Sequence, residues 1–226
     1  MLRGVWEDNC SHTNFVLIPR RLGNQGEDFL RPVLYCSGVP HIDVGNDEFG
    51  IRSLLTYRPE TARPMGMLAE VLMRGPSTLT SGERELIAAY VSARNECNYC
   101  TASHAASAAV RLPGGMTLVD QVLAGPESAP ITAKLAALLR IAGAVQQSGK
   151  AVREEDIAAA REEGATDLEI HDTVLIAAAF CMYNRYVDGL ATTARTDPAE
   201  YLAAAQRNIS LGYVATLSEP GAGQQA

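Results

Sequence analysis

Apolar residues recur at helical spacing along most of the chain after about residue 60. One such run covers residues 65–73 and stops at a Gly-Pro pair at 75–76, which is a typical helix end. Thr80 and Glu83 then form a Thr-x-x-Glu capping box, and apolar positions follow every three or four residues to about Arg94. The pattern therefore predicts two successive helices in this part of the chain.

The same periodicity predicts further helices downstream. A third helix begins near Cys97, after a break at Asn95 and Glu96, and ends before Pro113. The other segments predicted to be helical are residues 118–123, 131–149, 154–163, 168–187 and 198–209. The 168–187 segment follows a second capping box, Thr166 with Glu169, and is apolar almost all round. Such a helix is typical of a domain centre or a subunit interface.

No strand is predicted in the folded part, so we expect an all-α fold, a compact bundle of about seven or eight helices. Residues 1–40 differ because they contain no alanine and their apolar runs are interrupted by Gly, Pro, Arg and Asn. We expect them to form an irregular, poorly ordered extension with one short extended piece at residues 15–18. Residues 41–215 are predicted to form the helical domain, and the Gly- and Gln-rich residues 216–226 a disordered tail.

Composition supports a helical enzyme-sized domain and excludes several classes of partner. The 226 residues are 47% apolar, with only four Phe and one Trp, which favours closely packed helices. The net charge is −7 and no Lys/Arg stripe is visible, so we expect no nucleic-acid partner. No apolar run reaches about 18 residues, and the start lacks the apolar core of a secretory signal. Five cysteines give no disulfide framework, so we expect a reducing cytoplasm.

The most informative cluster is Cys97, Cys100 and His104, a Cys-x-x-Cys-x-x-x-His motif. Two thiols at this spacing can close a disulfide within one helical turn. His104 follows Cys100 by four residues, so on a helix its imidazole lies over the same face as that sulfur. A base beside a thiol favours the thiolate, which is the nucleophile. The break before Cys97 also starts a helix, whose N-terminus stabilises a thiolate. The cluster therefore indicates thiol redox chemistry.

Other interpretations of the cluster explain less. Two buried structural cysteines would leave the histidine unexplained. A zinc site needs a second paired half-site, and the remaining His and Cys residues lack that spacing. Covalent haem attachment needs a histidine where Thr101 stands, and a thioredoxin-like site needs strands around the pair. We therefore expect no metal and no cofactor.

A carboxylate that orients His104 would complete a proton relay. Glu83 and Glu85 on the preceding helix are both candidates, because an antiparallel helical hairpin would bring that helix back toward the cysteines. Spacing alone does not choose between them.

The spacing of Glu85, Cys97, Cys100 and His104 resembles that of the alkylhydroperoxidase D-like proteins of the carboxymuconolactone decarboxylase superfamily. Residues 82–92, 95–100 and 184–190 are similar to its uncharacterised peroxidase-related branch, and the likeness spans residues 42–212. This resemblance implies an all-helical fold that assembles as a homo-oligomer. It also implies that Glu85, rather than Glu83, is the relay glutamate. Asn184, Arg185 and Asp188 in the last of these segments are expected to have a structural or pocket-lining role.

In that family a glutamate and a histidine relay protons to a cysteine pair that reduces a hydroperoxide and becomes a disulfide. Carried over by position, Cys97, Cys100, His104 and Glu85 would form the catalytic set of a thiol-dependent peroxidase, an oxidoreductase. Its partners would be a hydroperoxide and an external dithiol of the lipoyl or thioredoxin type. The helix dipole favours Cys97 as the attacking sulfur, whereas the spacing to His104 favours Cys100. We favour Cys100, with Cys97 as the resolving thiol.

Three alternative functions stay open. The first is decarboxylation of a lactone acid, the activity that names the superfamily, although members with that activity generally lack the cysteine pair. The second is a general disulfide reductase that uses the same two thiols. The third is a non-catalytic oligomeric helical protein.

Overall fold

The computed structural model describes residues 13–20, 29–36 and 39–215. The first two ranges are strands β1 (Thr13–Arg20) and β2 (Phe29–Cys36), which pair as an antiparallel two-stranded sheet with Thr13 opposite Cys36. Strand β1 contains the extended piece predicted at residues 15–18. The poorly ordered extension at residues 1–40 stays a prediction, and the tail at 216–226 lies outside the described residues.

The third range is helical, which confirms the all-α fold class. Within the described part of the chain the helices are α1 (Ile51–Tyr57), α2 (Pro59–Arg74), α3 (Ser81–Arg94), α4 (Asn98–Ala109), α5 (Gly115–Ala124), α6 (Ala133–Gln147), α7 (Glu154–Glu162), α8 (Asp167–Gly189) and α9 (Pro198–Ala215). Short 3-10 turns lie at Pro126–Ser128 and Gly149–Ala151. None of the helices in residues 39–215 is long and apolar enough to span a membrane.

Nine described helices are more than the seven or eight that we expected from the sequence. Helix α1 is the one that the sequence did not predict. It has only seven residues, which is too short for an apolar period to stand out. Helix α9 also continues beyond the predicted end near residue 209 to Ala215, through a kink at Gly212.

Both predicted capping boxes are present and fix the starts of α3 and α8. Thr80 Oγ1 accepts a hydrogen bond from the Glu83 backbone N–H at 3.2 Å, and the Glu83 carboxylate accepts one from the Thr80 N–H at 2.8 Å. Thr166 and Glu169 repeat the arrangement. Each pair satisfies two N–H groups that a helix start leaves without intrahelical partners.

The main core lies where α3, α6 and α8 pack against one another. Its largest fully buried side chains include Leu86, Ile87, Leu138, Ile141 and Ile176. Burying such side chains is the chief force that holds the helices together, at about 2 kcal/mol each. The apolar helix α8 contributes one face to this core, while Leu168, Leu175 and Met182 stay exposed along another face. Helix α4 packs between this core and α9, and that layer carries the candidate site.

Gly50 allows the backbone before α1 to pass close to Tyr99 at the start of α4. Gly50 precedes α1 with φ +54°, and a Cβ at this position would lie 2.2 Å from the Tyr99 ring. Its N–H donates to the Thr193 carbonyl at 2.8 Å, which ties α1 to the loop after α8. A side chain here would therefore be strained and would collide with Tyr99.

Candidate active site

Helices α3 and α4 form the predicted helical hairpin, joined by a tight turn. Helix α3 ends at Arg94 with Asn95 as its C-cap, Glu96 has a left-handed φ of 60°, and Cys97 is the extended N-cap residue of α4. The predicted break at Asn95 and Glu96 is therefore confirmed. The turn bends the chain back so that the face of α4 carrying His104 meets the face of α3 carrying Glu85.

Polar side chains from two other helices hold this turn in place. The Asn95 side chain donates to Asn184 Oδ1 on α8 at 2.8 Å and accepts from Gln146 Nε2 on α6 at 2.8 Å. The completely buried Asn184 in turn donates to Ser92 Oγ at 3.1 Å. Both Oδ1 and Nδ2 of Asn184 have a hydrogen-bond partner, so burying this amide costs little free energy. The network therefore fixes the turn before Cys97. Asn184 thus has a structural role.

Cys97 and Cys100 lie together in the first turn of α4 as two free, buried thiols. A hydrogen bond between the two side chains, followed by burial, raises the pKa of Cys97 well above its usual range. Cys97 also hydrogen-bonds Asp188 on α8, an exposed residue whose pKa is raised by desolvation and lowered in part by this bond. Both sulfurs lie at the positive end of the α4 dipole, which favours negative charge there.

Glu85 is completely buried and forms the centre of a short side-chain network. Its Oε2 lies 2.7 Å from His104 Nδ1, and its Oε1 accepts a hydrogen bond from the Tyr213 hydroxyl at 2.7 Å. Arg111 lies farther away, with Nη2 at 3.8 Å from Oε1. Since a carboxylate only accepts hydrogen bonds, His104 carries its proton on Nδ1 when Glu85 is ionised. Its Nε2 is then available to accept a proton.

Tyr213 is a site residue that sequence reasoning missed. It follows Gly212, whose φ of +81° kinks α9, and its backbone N–H donates to Glu70 Oε2 at 2.6 Å. Burial, followed by the nearby charge of Glu85, raises the pKa of Tyr213 well above its usual range. The hydroxyl therefore stays protonated and acts as a donor to Glu85. The only sequence signal was a lone glycine within a helical pattern, which does not indicate its partner.

Aromatic rings fix the orientation of His104. The imidazole and the Phe180 ring on α8 pack nearly perpendicular to each other, with centroids 4.5 Å apart and planes at 82°. The Tyr213 ring lies nearly parallel to the imidazole at 6.4 Å. Aromatic pairs favour such edge-to-face and offset arrangements. The imidazole is thereby held by Glu85 on one edge and by two rings around it.

The structure separates the two glutamates that the sequence left as alternatives. Glu83 is used by the capping box of its own helix, where it binds the Thr80 hydroxyl at 2.8 Å. Glu85 lies two residues later, on the face of α3 that contacts α4, and binds His104.

Arg185 points away from this region, since it is exposed and donates to the Cys181 carbonyl within α8. Cys181 is partly buried and accepts a long hydrogen bond of 3.6 Å from Asn95.

A cavity of about 130 Å³ opens beside Cys100 and His104. Cys97 is completely buried and is not among the described residues that line it. The described lining comes mainly from α1, α2, α4, α8 and α9, and includes Leu55, Met65, Phe180, Tyr183 and Tyr213. Burial raises the pKa of Tyr183 to about 12, and its hydroxyl donates to the Met65 carbonyl at 3.1 Å. Of the two cysteines, Cys100 is therefore the one that a small molecule in the cavity can reach.

No group of three or more His, Cys, Asp or Glu side chains within residues 39–215 is arranged to hold a metal ion. The described residues that line the cavity thus present the Cys100 thiol, one imidazole and phenol groups, and Cys97 adds a second, buried thiol beside Cys100. A buried carboxylate lies behind the imidazole. These groups can transfer protons and form a disulfide.

Known proteins resemble this chain both in sequence and in fold. The sequence model of the carboxymuconolactone decarboxylase family matches residues 59–142, a range that includes Glu85, both cysteines and His104. One similar solved structure is an uncharacterized peroxidase-related protein from Silicibacter sp. TM1040, with 27% identity and a TM-score of 0.61, covering 67% of this chain and 78% of that chain. Another is described as an alkylhydroperoxidase AhpD core, an uncharacterized peroxidase-related protein from Ralstonia eutropha JMP134. It has 31% identity and a TM-score of 0.59, covering 66% of this chain and 76% of that one. No curated protein matches significantly.

Proposed function

The chain belongs to the carboxymuconolactone decarboxylase superfamily, in its alkylhydroperoxidase D-like group, and on this premise we propose that it is a thiol-dependent peroxidase. In this proposal Cys97 and Cys100 reduce a hydroperoxide, and Glu85 with His104 relays the protons. The observation that carries the proposal is the 2.7 Å hydrogen bond from His104 to the buried Glu85, on the same helix face as a cavity-lining thiol. A structural pair of cysteines would need no such base.

The first half-reaction begins at Cys100. His104 Nε2 takes the thiol proton, and the thiolate attacks the distal peroxide oxygen, so that an S–O bond forms and the O–O bond breaks. The departing alkoxide receives the proton from His104 and leaves as an alcohol. Cys100 is oxidised to a sulfenic acid while the peroxide is reduced by two electrons. Glu85 stabilises the imidazolium that exists between the two proton transfers.

The second half-reaction forms the disulfide. The raised pKa of Cys97 keeps this thiol protonated until Cys100 has been oxidised, which suits a resolving cysteine. Asp188 takes the Cys97 proton, the Cys97 sulfur attacks Cys100 so that the S–S bond forms as the S–O bond breaks, and the departing hydroxide receives that proton from Asp188 and leaves as water. An external dithiol of the lipoyl or thioredoxin type then reduces the disulfide by thiol exchange and is itself oxidised. The reaction suits the reducing cytoplasm, where such dithiols are available.

Turnover of an organic hydroperoxide tests the proposal. Purified protein should consume cumene hydroperoxide with dithiothreitol or dihydrolipoamide as reductant. Cys97→Ser and Cys100→Ser should each abolish turnover, whereas Cys181→Ser is the matched control and should keep it. If both single variants retain the wild-type rate, the thiol mechanism is wrong.

The identity of the attacking sulfur has its own test. Cys97→Ser lacks the resolving thiol, so one equivalent of peroxide should leave a sulfenic acid at Cys100 that dimedone traps. Peptide mass spectrometry locates the adduct. An adduct of equal yield at Cys97 in the Cys100→Ser variant would instead favour Cys97 as the nucleophile.

A decarboxylase is the second candidate, because the family match covers residues 59–142. Decarboxylation of a lactone acid does not need the thiols. A variant with both cysteines changed to serine would therefore retain it, and release of carbon dioxide from a carboxymuconolactone would reveal it. A general disulfide reductase would instead reduce a model disulfide faster than any peroxide.

We also propose that the protein is a homo-oligomer. Leu168, Leu175 and Met182 are exposed on α8 at 51%, 37% and 46% and recur every seven residues, so these apolar side chains lie along one face of the helix. Native mass spectrometry should show a multimer, and Leu175→Lys should weaken it. A monomeric wild-type mass would contradict this proposal.

A further inference from the structure

We propose that the peroxide substrate carries a carboxylate, and that Arg207 receives it at the mouth of the cavity while the apolar body lies inside. This inference rests on the proposed peroxidase function and names its substrate class. It comes from the charges around the cavity, which are unlike those of the chain as a whole.

The described lining of the cavity contains three arginines, Arg52, Arg195 and Arg207, and no Asp or Glu. The chain as a whole has 26 acidic and 19 basic residues. A random lining would therefore contain at least as many acidic as basic side chains. Three positive side chains around one concave surface attract anions into it.

Ion pairs with neighbouring carboxylates bind two of these arginines. Arg52 Nε lies 3.0 Å from Glu48, and Arg195 Nη1 lies 2.5 Å from Glu200 while its guanidinium lies 4.8 Å from the Phe49 ring centroid. These contacts hold the two side chains at the cavity wall. Arg207, on α9, has no ion-pair partner among residues 39–215 and is exposed. It is therefore the arginine that can exchange water for a substrate carboxylate at the lowest cost.

Burial increases from Arg207 toward the thiol. The Arg207 side chain is solvent-exposed, the His104 side chain is 13% exposed, and Cys100 is 3% exposed. Leu55, Met65 and Phe180 supply apolar surface to the same cavity. A ligand with an apolar body and an anionic end would match this gradient, with its charged end outward.

The volume sets the size of the body that the cavity accepts. About 130 Å³ is close to the ~150 Å³ of an apolar cavity that holds benzene. Hydrogen peroxide would leave most of that apolar surface uncovered and would not need an arginine. A short or medium alkyl chain would fill it, and a guanidinium binds a carboxylate through two parallel hydrogen bonds.

The test compares two eight-carbon peroxides, octyl hydroperoxide and ω-hydroperoxyoctanoate, which differ in the group far from the peroxide, a methyl group in the first and a carboxylate in the second. The wild-type kcat/KM should favour the carboxylate by about fivefold, as a solvent-accessible ion pair allows. Arg207→Gln should remove that preference and Arg207→Glu should reverse it. The matched control is Arg161→Gln, an exposed arginine of α7 that does not line the cavity, and it should keep the wild-type preference. Equal kcat/KM values for the two peroxides in the wild type would overturn the inference.

A binding measurement separates this inference from the peroxidase proposal. Octanoate should slow alkylation of Cys100 by N-ethylmaleimide in the wild type more than octanol does, and Arg207→Gln should lose the difference. If neither peroxide is consumed but octanoate protects Cys100, the anion site stands and the peroxidase proposal fails. If both peroxides are consumed equally and octanoate protects no better than octanol, the peroxidase stands and the anion site is wrong.

Discussion

Glu85 and Glu169 are both almost completely buried, at 0% and 1% exposure, yet the structure uses them differently. Glu169 closes the capping box of α8 and lies 2.8 Å from Lys134 Nζ. Glu85 lies in the middle of α3, where it accepts hydrogen bonds from His104 and Tyr213. A lysine, one backbone amide and threonine hydroxyls hold the Glu169 carboxylate, whereas an imidazole and a phenol hold that of Glu85.

The position of each glutamate in its helix explains the difference. Glu169 is the third residue of α8, where backbone N–H groups still lack partners and the helix dipole favours an anion. Glu85 is the fifth residue of α3, where the helix itself already uses the N–H groups. It therefore depends on side chains from α4 and α9. Burial thus does not distinguish a structural carboxylate from a functional one, but the proton-exchanging capacity of its partners does.

The largest expected effect comes from Glu85→Gln. An amide keeps the size of the side chain but cannot stabilise the imidazolium of His104, so peroxide turnover should fall about 10²- to 10³-fold. Steady-state kinetics with a hydroperoxide and dithiothreitol measure it, with circular dichroism to verify folding. Glu169→Gln is the control and should retain most of the activity. Similar losses in both variants would remove the functional difference between the two glutamates.

For the stability of the fold, we expect the larger effect from Glu169→Gln rather than from Glu85→Gln. Glu169→Gln breaks the ion pair with Lys134 and weakens the cap of α8, so the free energy of unfolding should fall by about 3 kcal/mol. Urea denaturation measures it. A Lys134→Gln variant and the double variant complete a thermodynamic cycle. A change below ~0.5 kcal/mol in Glu169→Gln would mean that the capping box and ion pair contribute little.

The free energy of unfolding in acid should also depend on Glu169. Burial alone would raise the pKa of Glu169, but hydrogen bonds from Lys134, Thr166 and Thr78 outweigh it and lower this pKa from 4.5 to about 2. Because the folded-state pKa is depressed, the stabilisation is present above the unfolded pKa and is lost as the pH falls toward about 2. Between about pH 5 and pH 3 the wild type should lose roughly 2 kcal/mol through this group. Unfolding at a series of pH values should show a flatter profile for Glu169→Gln, and identical profiles would contradict the assignment.

The smallest expected effect is that of Tyr213→Phe. It removes one of the two short hydrogen bonds to Glu85 but leaves the His104 contact and the ring packing in place. We expect kcat to fall about fivefold with little change in KM, which corresponds to one net hydrogen bond. Tyr183→Phe is the control, since its hydroxyl binds the Met65 carbonyl rather than Glu85. A larger loss of kcat in Tyr183→Phe than in Tyr213→Phe would contradict the role given to the Tyr213 hydroxyl.

Local sequence signals predicted most of the helices, but they did not predict the segment that covers the cavity. The capping boxes at Thr80 and Thr166 and the break at Asn95 and Glu96 act within a few residues, so they are visible in the chain itself. Helix α1 is short and takes its position from Gly50 packing against Tyr99, a contact that no local pattern records. The sequence therefore predicted where most helices begin but not what covers the cavity.

The sequence by itself determined the all-α fold and the spacing of Cys97, Cys100 and His104, because helical periodicity and a one-turn motif depend only on neighbouring residues. Family resemblance added Glu85. Only the tertiary structure brought Tyr213 to that glutamate, left Cys100 rather than Cys97 beside the cavity, and lined the cavity with three arginines. These residues are far apart in the chain. Their proximity depends on how α4, α8 and α9 pack, and packing angles are set by the whole core rather than by any one segment.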